Sequence, residues 1–304
     1  MIYTLTLNPS IDYVIKIDKF EDGETLRSNT EEKYPGGKGI MVSKLLKNLG
    51  EKSVNIGFLG GFTGDFIRKK LNDLGIAEDF TRIEDDSRIN VKLKYETETE
   101  INAQGPQIKE EEIEEFLNYL DQLQEDDFVI ISGSIPKSLG DDFYRVIVNL
   151  LEMNNVRFAL DTSGKKLFNL SSYKPFLVKP NKDELSEIFE DKIDSDEKIV
   201  KYARKLIDQG AENVIVSLGK DGSMFIDSNI VYKAKPIEGK LINSVGSGDS
   251  MVAGYIYGYM KGLSKLDSYK LAVSCGSATA FSPDIAEKEL IDEIFKKVEL
   301  EEWE

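Results

Sequence analysis

Ile2-Tyr3-Thr4-Leu5-Thr6-Leu7, closed by Asn8-Pro9-Ser10, is a short apolar and β-branched run stopped by a turn, and it reads as a core strand. The loop expected after it carries Asp12. Runs of the same kind recur at Ser53–Leu59, Asp127–Ser132, Val156–Asp161, Phe176–Lys179 and Asn213–Leu218. Between them apolar residues fall at helical spacing, as at Ile113, Phe116, Leu117, Leu120 and Leu123, and again at Ile199, Tyr202, Ala203, Leu206 and Ile207. Strands alternating with helices imply βαβ units and an α/β domain whose largely parallel sheet is covered on both faces. Ligands of such a sheet collect at the carboxyl ends of its strands.

Two stretches break the alternation, Tyr13–Asn29 and Ile89–Ile101. In the second, Ile89, Val91, Leu93 and Tyr95 alternate with Asn90, Lys92 and Lys94, the pattern of a sheet buried on one face. Together they read as a small β-lid formed by about residues 12–34 and 88–105, the alternative being an ordinary surface hairpin. The expectation is one large domain over residues 1–304 with this appendage. The charge-rich stretch Lys109–Glu115 has helical period and reads as a solvated helix face.

The balance of charges limits the partners. Thirty-nine basic residues against 55 acidic ones give a net charge of −16, which disfavours nucleic acid and anionic membranes. Phosphate ligands would therefore need local cations. The single cysteine, Cys275, excludes an internal disulfide and suits a reducing cytosol. There is no histidine, so any proton transfer falls to a carboxylate, lysine, tyrosine or the lone thiol. The N-terminus does not resemble a signal peptide, and no stretch approaches the ~18 apolar residues of a membrane helix. A cytoplasmic location follows as an expectation.

Chemistry is most legible in Asn243-Ser-Val-Gly246-Ser247-Gly248-Asp249-Ser250-Met-Val-Ala-Gly254. Small residues just before a helix let backbone N–H groups converge on an anion, helped by the positive end of the helix dipole. This is a phosphate cradle, and Asp249 in the first helical turn is either a chemical group or a plain N-terminal carboxylate. A P-loop is excluded, because Lys38, Lys165 and Lys220 are followed by Gly39, Lys166 and Asp221 rather than Ser or Thr. A dinucleotide fingerprint fails as well, since Met251 stands where the third glycine is required after Gly246 and Gly248.

Eight further segments, taken in order with the cradle, carry a resemblance over essentially the whole chain. They are Thr4-Leu-Thr-Leu-Asn-Pro-Ser-Ile-Asp12, Pro35-Gly36-Gly37-Lys38-Gly39-Ile40, Gly57-Phe-Leu-Gly60-Gly61, Arg88-Ile-Asn90-Val-Lys92, Ser132-Gly-Ser134-Ile-Pro136, Lys179-Pro-Asn181-Lys-Asp-Glu184, Ser217-Leu-Gly219-Lys-Asp-Gly222 and Gly276-Ser277-Ala-Thr-Ala-Phe281-Ser282. The sequence resembles the ribokinase/PfkB carbohydrate kinases. That resemblance implies a ribokinase-like three-layer α/β/α domain with a small β-sheet lid, and Mg²⁺-dependent transfer from ATP to a ketohexose phosphate such as fructose 1-phosphate or tagatose 6-phosphate.

It also implies roles, residue by residue. Asp249 is the base that takes the acceptor hydroxyl's proton, and the N–H groups of Gly246, Ser247 and Gly248 bind the phosphoryl oxygens. Asp12, Gly36, Gly37, Lys38, Arg88, Asn90 and Ser134 hold the sugar phosphate, with Lys92 adding charge. Arg88 suits phosphate because its fork can bind two oxygens, although a surface ion pair is the plain alternative. Lys179, Ser217, Gly219, Gly222, Gly246, Gly248 and Ser277 meet ATP, the Ser217–Gly222 segment otherwise being an ordinary hairpin turn. Asn181 and Glu184 order Mg²⁺ mainly through water, where Glu184 alone would pass for a first-turn helix carboxylate. The sequence departs from the family at Met41, where relatives carry Asn; a thioether donates no hydrogen bond, so either a neighbour such as Arg88 or Asn90 compensates or affinity for the usual substrate is reduced. An apolar lid face would pair with a second copy, giving a homodimer. A sugar-phosphate sensor and a nicotinamide oxidoreductase are the competing classes, the first opposed by the intact motifs and the second by the failed fingerprint.

Overall fold

A computed structural model describes residues 1–162 and 164–303. The chain runs through β1 (Ile2–Thr6), β2 (Ser10–Lys16), β3 (Thr30–Gly36), α1 (Lys38–Asn48), β4 (Ser53–Gly60), α2 (Gly61–Asp73), β5 (Ala77–Glu78) and β6 (Thr81–Ile83). It continues with β7 (Arg88–Lys94), β8 (Glu98–Ile101), α3 (Glu110–Leu120), β9 (Phe128–Ser132), α4 (Phe143–Met153), β10 (Arg157–Asp161), α5 (Lys165–Leu170) and β11 (Leu177–Val178). The last part holds α6 (Lys182–Phe189), α7 (Asp196–Gln209), β12 (Val214–Ser217), β13 (Ser223–Ile226), β14 (Val231–Ala234), α8 (Ser247–Met260), α9 (Lys265–Ala280), α10 (Lys288–Phe295) and β15 (Leu300–Glu302).

Eleven strands form one sheet in the order β15-β14-β13-β12-β11-β10-β9-β1-β4-β5, with β6 also paired to β4. From β5 to β12 every pairing is parallel, whereas β12 to β15 are antiparallel. The parallel part needs a crossover between successive strands, and the helices supply it. Both faces of the sheet are consequently buried. Leu5, Val129, Ile131, Leu160, Val178 and Val216 point to one face, beneath α3, α4, α6 and α7. Ile2, Ile130, Ala159, Leu177 and Ile215 point to the other, beneath α1, α8 and α9. The three-layer arrangement is the one expected from the alternation of runs.

A separate four-stranded sheet runs in the order β3-β2-β7-β8, with β2 parallel to β7. Asp12 lies inside β2 rather than in a loop, because Ser10–Lys16 finds pairing partners on both sides, at Thr30–Gly36 and Arg88–Lys94. The register sets Asp12, Asn90 and Lys92 on one face with Glu100. Ile89, Val91 and Leu93 share the opposite face with Ile101. The polar face is the covered one: Asn90 is buried, while Ile89 and Ile101 are exposed. Alternation was legible in the sequence, but the covered face is the charged one because it closes on a cavity and not on a core.

Candidate active site

A cavity of about 520 Å³ opens between the two sheets at the carboxyl ends of β1, β9 and β10. Of the residues expected to meet a sugar phosphate, Asp12, Gly37, Lys38, Arg88, Asn90 and Ser134 line it, as do Asp249 and Met41. Gly36 stands beside it, so close to Asp12 that a β-carbon there would fall 2.4 Å from Asp12 Oδ1.

The wall contributed by the small sheet is a hydrogen-bonded array. Ser10 Oγ donates to Asp12 Oδ1 (2.7 Å), and Asn90 Nδ2 reaches both Ser10 Oγ (3.1 Å) and Asp12 Oδ1 (3.3 Å). Lys92 Nζ lies 3.3 Å from Asp12 Oδ2 and 3.6 Å from Glu100 Oε1. Burial works against the Lys92 ammonium, but the charges of Asp12 and Glu100 outweigh it and hold the pKa above its ordinary value. Arg88 is no surface ion pair. Its Nε donates to Asn8 O (3.0 Å) and Nη1 to Ala103 O (3.1 Å), which fixes the guanidinium on neutral carbonyls. Three of its five N–H donors remain for an incoming anion. Met41, from the first turns of α1, adds an apolar patch to the same cavity and packs on the core beneath it.

Lys38 is set by a buried polar network under α1. Asn55 Nδ2 donates to Gly39 O (3.1 Å) and Ser43 Oγ (2.9 Å), and Thr6 Oγ1 donates to Asn55 Oδ1 (2.9 Å). Gly39 is needed there because a β-carbon would fall 2.3 Å from Thr6 Oγ1. Lys38 Nζ then donates to Asp161 Oδ2 at 3.1 Å. Asp161 ends β10, is 2% exposed, and meets Lys179 Nζ at 3.3 Å through its other oxygen. Burial alone would raise the Asp161 carboxyl, but Lys179 and Lys38 outweigh it and hold it well below the usual carboxylate range.

Asp249 sits in the first turn of α8, 7% exposed. Its carboxyl is pushed far up, first by burial and then by the Asp161 charge, against the pull of Lys38 and Lys179. The helix starts at Gly246, whose φ of +79° belongs to the left-handed region and whose β-carbon would strike Ile285 at 2.6 Å. Ser247 N–H is taken by Ser244 O (3.3 Å). Gly248 and Asp249, being in the first turn, have N–H groups with no intrahelical acceptor. Lys179 Nζ stands 3.0 Å from the point a β-carbon on Gly248 would occupy, so an ammonium adjoins the cradle. Asn8 Oδ1, Ser132 Oγ and Ser247 Oγ are buried with no hydrogen-bond partner among the described residues.

Ser217, Gly219, Gly222 and Ser277 do not line the cavity. Ser217 ends β12 and bridges to Asn181, and Gly219 and Gly222 form the turn between β12 and β13 with positive φ. Ser277 lies on α9. Asn181 and Glu184 face each other at the start of α6, where Asn181 Oδ1 accepts from Glu184 N and Glu184 Oε2 accepts from Asn181 N, each at 2.8 Å. Sequence reasoning missed Asp161, Glu100 and Asn102 among the lining residues. Asp161 had a usable signal, as the only acidic residue at the carboxyl end of a central strand run; Glu100 and Asn102 had none.

A largely parallel α/β sheet with a buried carboxylate pair and two lysines at one edge, under a second polar-faced sheet, is the architecture of an ATP-dependent carbohydrate kinase. The chain belongs to the pfkB family of carbohydrate kinases, whose pattern it matches over residues 5–289. It is similar to the 1-phosphofructokinase of Bacillus subtilis, 46% identical over 300 residues with 99% of both chains covered. To a tagatose-6-phosphate kinase of Staphylococcus epidermidis it is 36% identical over 307 residues, again with 99% of both covered. The crystal structure of phosphofructokinase-2 from Escherichia coli in complex with fructose-6-phosphate superposes with a TM-score of 0.90 at 26% identity, covering 97% of this chain and 98% of that one.

Proposed function

We propose that the chain transfers the γ-phosphoryl group of MgATP to fructose 1-phosphate, giving ADP and fructose 1,6-bisphosphate, with Asp249 as the base. The observation that carries the reading is that Asp249, from the large sheet's side, lines the same cavity as Arg88, Asn90 and Asp12 of the small sheet. An acceptor sugar bridging that span puts its existing phosphate on Arg88 and Lys92 and its free hydroxyl on the Asp249 carboxylate. The local cations offset the net charge of −16. The resemblance to the Bacillus subtilis enzyme supports fructose 1-phosphate in particular.

In this reading the Gly248 and Asp249 N–H groups, with Lys179, receive the charge that develops on the transferring phosphoryl oxygens. Asn181 and Glu184 fit Mg²⁺ held through water: Glu184 Oε1 stands outside their reciprocal hydrogen bonds and Asn181 Oδ1 has a second lone pair, so both oxygens can accept from waters on the ion. When bound, the ion neutralises the nucleotide phosphates. Lys179, Ser217, Gly219, Gly222, Gly246, Gly248 and Ser277 form the nucleotide side.

The small sheet acts as a lid over residues 12–34 and 88–105, flexing at Gly36-Gly37 to exclude water from MgATP. Its exposed apolar face, with Ile89 and Ile101, pairs with a second copy in a homodimer. The enzyme works in the cytoplasm, a reading supported by its single, buried cysteine. No helix among the described residues is long and apolar enough to cross a membrane.

Tagatose-6-phosphate kinase is the second reading, favoured by the Staphylococcus epidermidis relative and by Met41, which removes one hydrogen-bond donor from the sugar cavity. Coupled ADP release with Mg-ATP on fructose 1-phosphate, fructose 6-phosphate and tagatose 6-phosphate tests both. Preference for tagatose 6-phosphate moves the substrate and keeps the mechanism, and no turnover on any of the three refutes the reading.

A further inference from the structure

Asp161 stands between the acceptor and donor halves of the site and has no part in the roles above. Each of its oxygens is taken by a different lysine, Oδ2 by Lys38 and Oδ1 by Lys179. The two lysines lead to different places. Lys38, 43% exposed at its side chain, opens into the sugar cavity with Asp12 and Arg88, whereas Lys179, 6% exposed, ends against Gly248 of the cradle. They come from separate places in the chain, the start of α1 and the residue that follows β11. The Asp161 carboxylate is the group that meets both ammonium ions, one on each oxygen.

The chemistry explains why spacing matters. Phosphoryl transfer passes through a loose transition state with charge on three equatorial oxygens, and cations stabilise it only if they are already in place. Lysine is a point charge on a flexible stem, without the preformed fork of arginine, and a buried ammonium lacking a counter-charge tends to lose its proton. A carboxylate shared by two lysines answers both problems. It anchors each ammonium on one oxygen and cancels the repulsion between them.

We propose that Asp161 is a positioning residue that fixes Lys38 on the acceptor side and Lys179 on the donor side of the transferring phosphoryl group. The inference rests on the kinase reading with Asp249 at the reacting end, and not on which ketohexose phosphate is the acceptor. An ion pair that merely stabilised the fold would move the melting temperature and leave turnover of the folded enzyme intact. Positioning instead appears in kcat and depends on the lysines.

The experiment is a pair of double-mutant cycles on the full-length enzyme, Asp161→Asn crossed with Lys38→Met and with Lys179→Met. Each variant is read for kcat, KM and melting temperature at saturating MgATP with whichever sugar phosphate the wild type prefers. Asp161→Asn is expected to lower kcat roughly 10²-fold, the scale of a catalytic group displaced by about 1 Å, with KM moving less than kcat. In either lysine background the same substitution is expected to cost at least about fivefold less than it does alone, because part of what it positions is already gone. Equal factors in all backgrounds, or a kcat for Asp161→Asn within about fivefold of wild type, overturn the proposal. Should Asp161→Asn fail to fold, Asp161→Glu keeps the charge and shifts the carboxylate by one methylene. It is expected to fold and still lose kcat about tenfold or more, and full activity there overturns the proposal equally. Wild-type rates on the three sugar phosphates test the substrate reading by themselves, so either conclusion can fail without the other.

Discussion

Replacing Asp249 by Asn should make the protein less active and more stable at once. The amide keeps the shape of the carboxyl and removes its charge. With Asp249 in the proposed role of base, its loss is expected to cost about 10²–10⁴ in kcat. Stability moves the other way because of where the carboxyl sits. Burial, with the Asp161 charge second, pushes the folded-state pKa of Asp249 up to about 8 from an ordinary 3.8. A carboxyl raised in this way contributes its stability in acid, and that stability is lost as pH rises from the unfolded value through the folded one. At pH 7 the unfolded chain has released a proton that the folded one retains across roughly three pH units, each worth ~1.4 kcal/mol, so the wild type carries an upper-bound cost of about 4 kcal/mol. The neutral amide of the variant carries none. Since 1 kcal/mol is about 2 °C in a chain of this size, the variant should melt several degrees above wild type near pH 8 and within about a degree of it near pH 4. Thermal melts from pH 4 to 9 beside a coupled ADP-release assay read both effects. A melting-temperature gap that is flat in pH, or retention of more than a tenth of the wild-type kcat, refutes the reasoning.

The kcat/KM of the wild type should rise with pH well above the usual carboxylate range, because the base must be ionised in the free enzyme; a profile flat from pH 5 to 9 speaks against Asp249. Arg88→Ala should raise KM for the sugar phosphate by about tenfold or more while kcat changes less, since charged hydrogen bonds of ~1.5–3 kcal/mol are lost, and steady-state kinetics with varied sugar checks it. Gly246→Ala should cost about 1–3 kcal/mol in denaturant unfolding, from a φ of +79° and a 2.6 Å approach to Ile285. Chelation of divalent ions should abolish turnover without changing the ligand-free melting temperature, because Asn181 and Glu184 already satisfy each other as a helix cap; added Mg²⁺ should restore it. Ile101→Lys on the outer face of the small sheet should yield a monomer by analytical ultracentrifugation, and an unchanged sedimentation coefficient would exclude that face as the interface.

Much of the architecture was legible because it is local. Each buried strand of the parallel sheet is apolar over its own length, and helices such as α4 and α7 carry their own periodic stripe, so alternation along the chain reports the layers directly. The cradle at Gly246–Asp249 could be read for the same reason, since helix start, small residues and carboxylate are adjacent in sequence. The antiparallel extension β12–β15 was not read beyond its first strand, because β13, β14 and β15 are three or four residues long and β15 joins from across α8, α9 and α10.

What tertiary structure alone decided is the company each charge keeps. Lys38, Asp161, Lys179 and Asp249 come from four elements spread over more than two hundred positions, and they meet only because parallel pairing aligns the strand ends on one edge of the sheet. Which face of the small sheet is covered is likewise nonlocal: a strict alternation of Ile and Lys is equally compatible with either face turned inward. The folded chain resolves it by closing Asp12, Asn90 and Lys92 over a polar cavity and leaving Ile89 and Ile101 outside. Sequence determined which residue types were available and where the backbone could turn; the sheet determined which charges share one dielectric environment, and hence which carboxyl is pulled below the usual range and which is pushed above it.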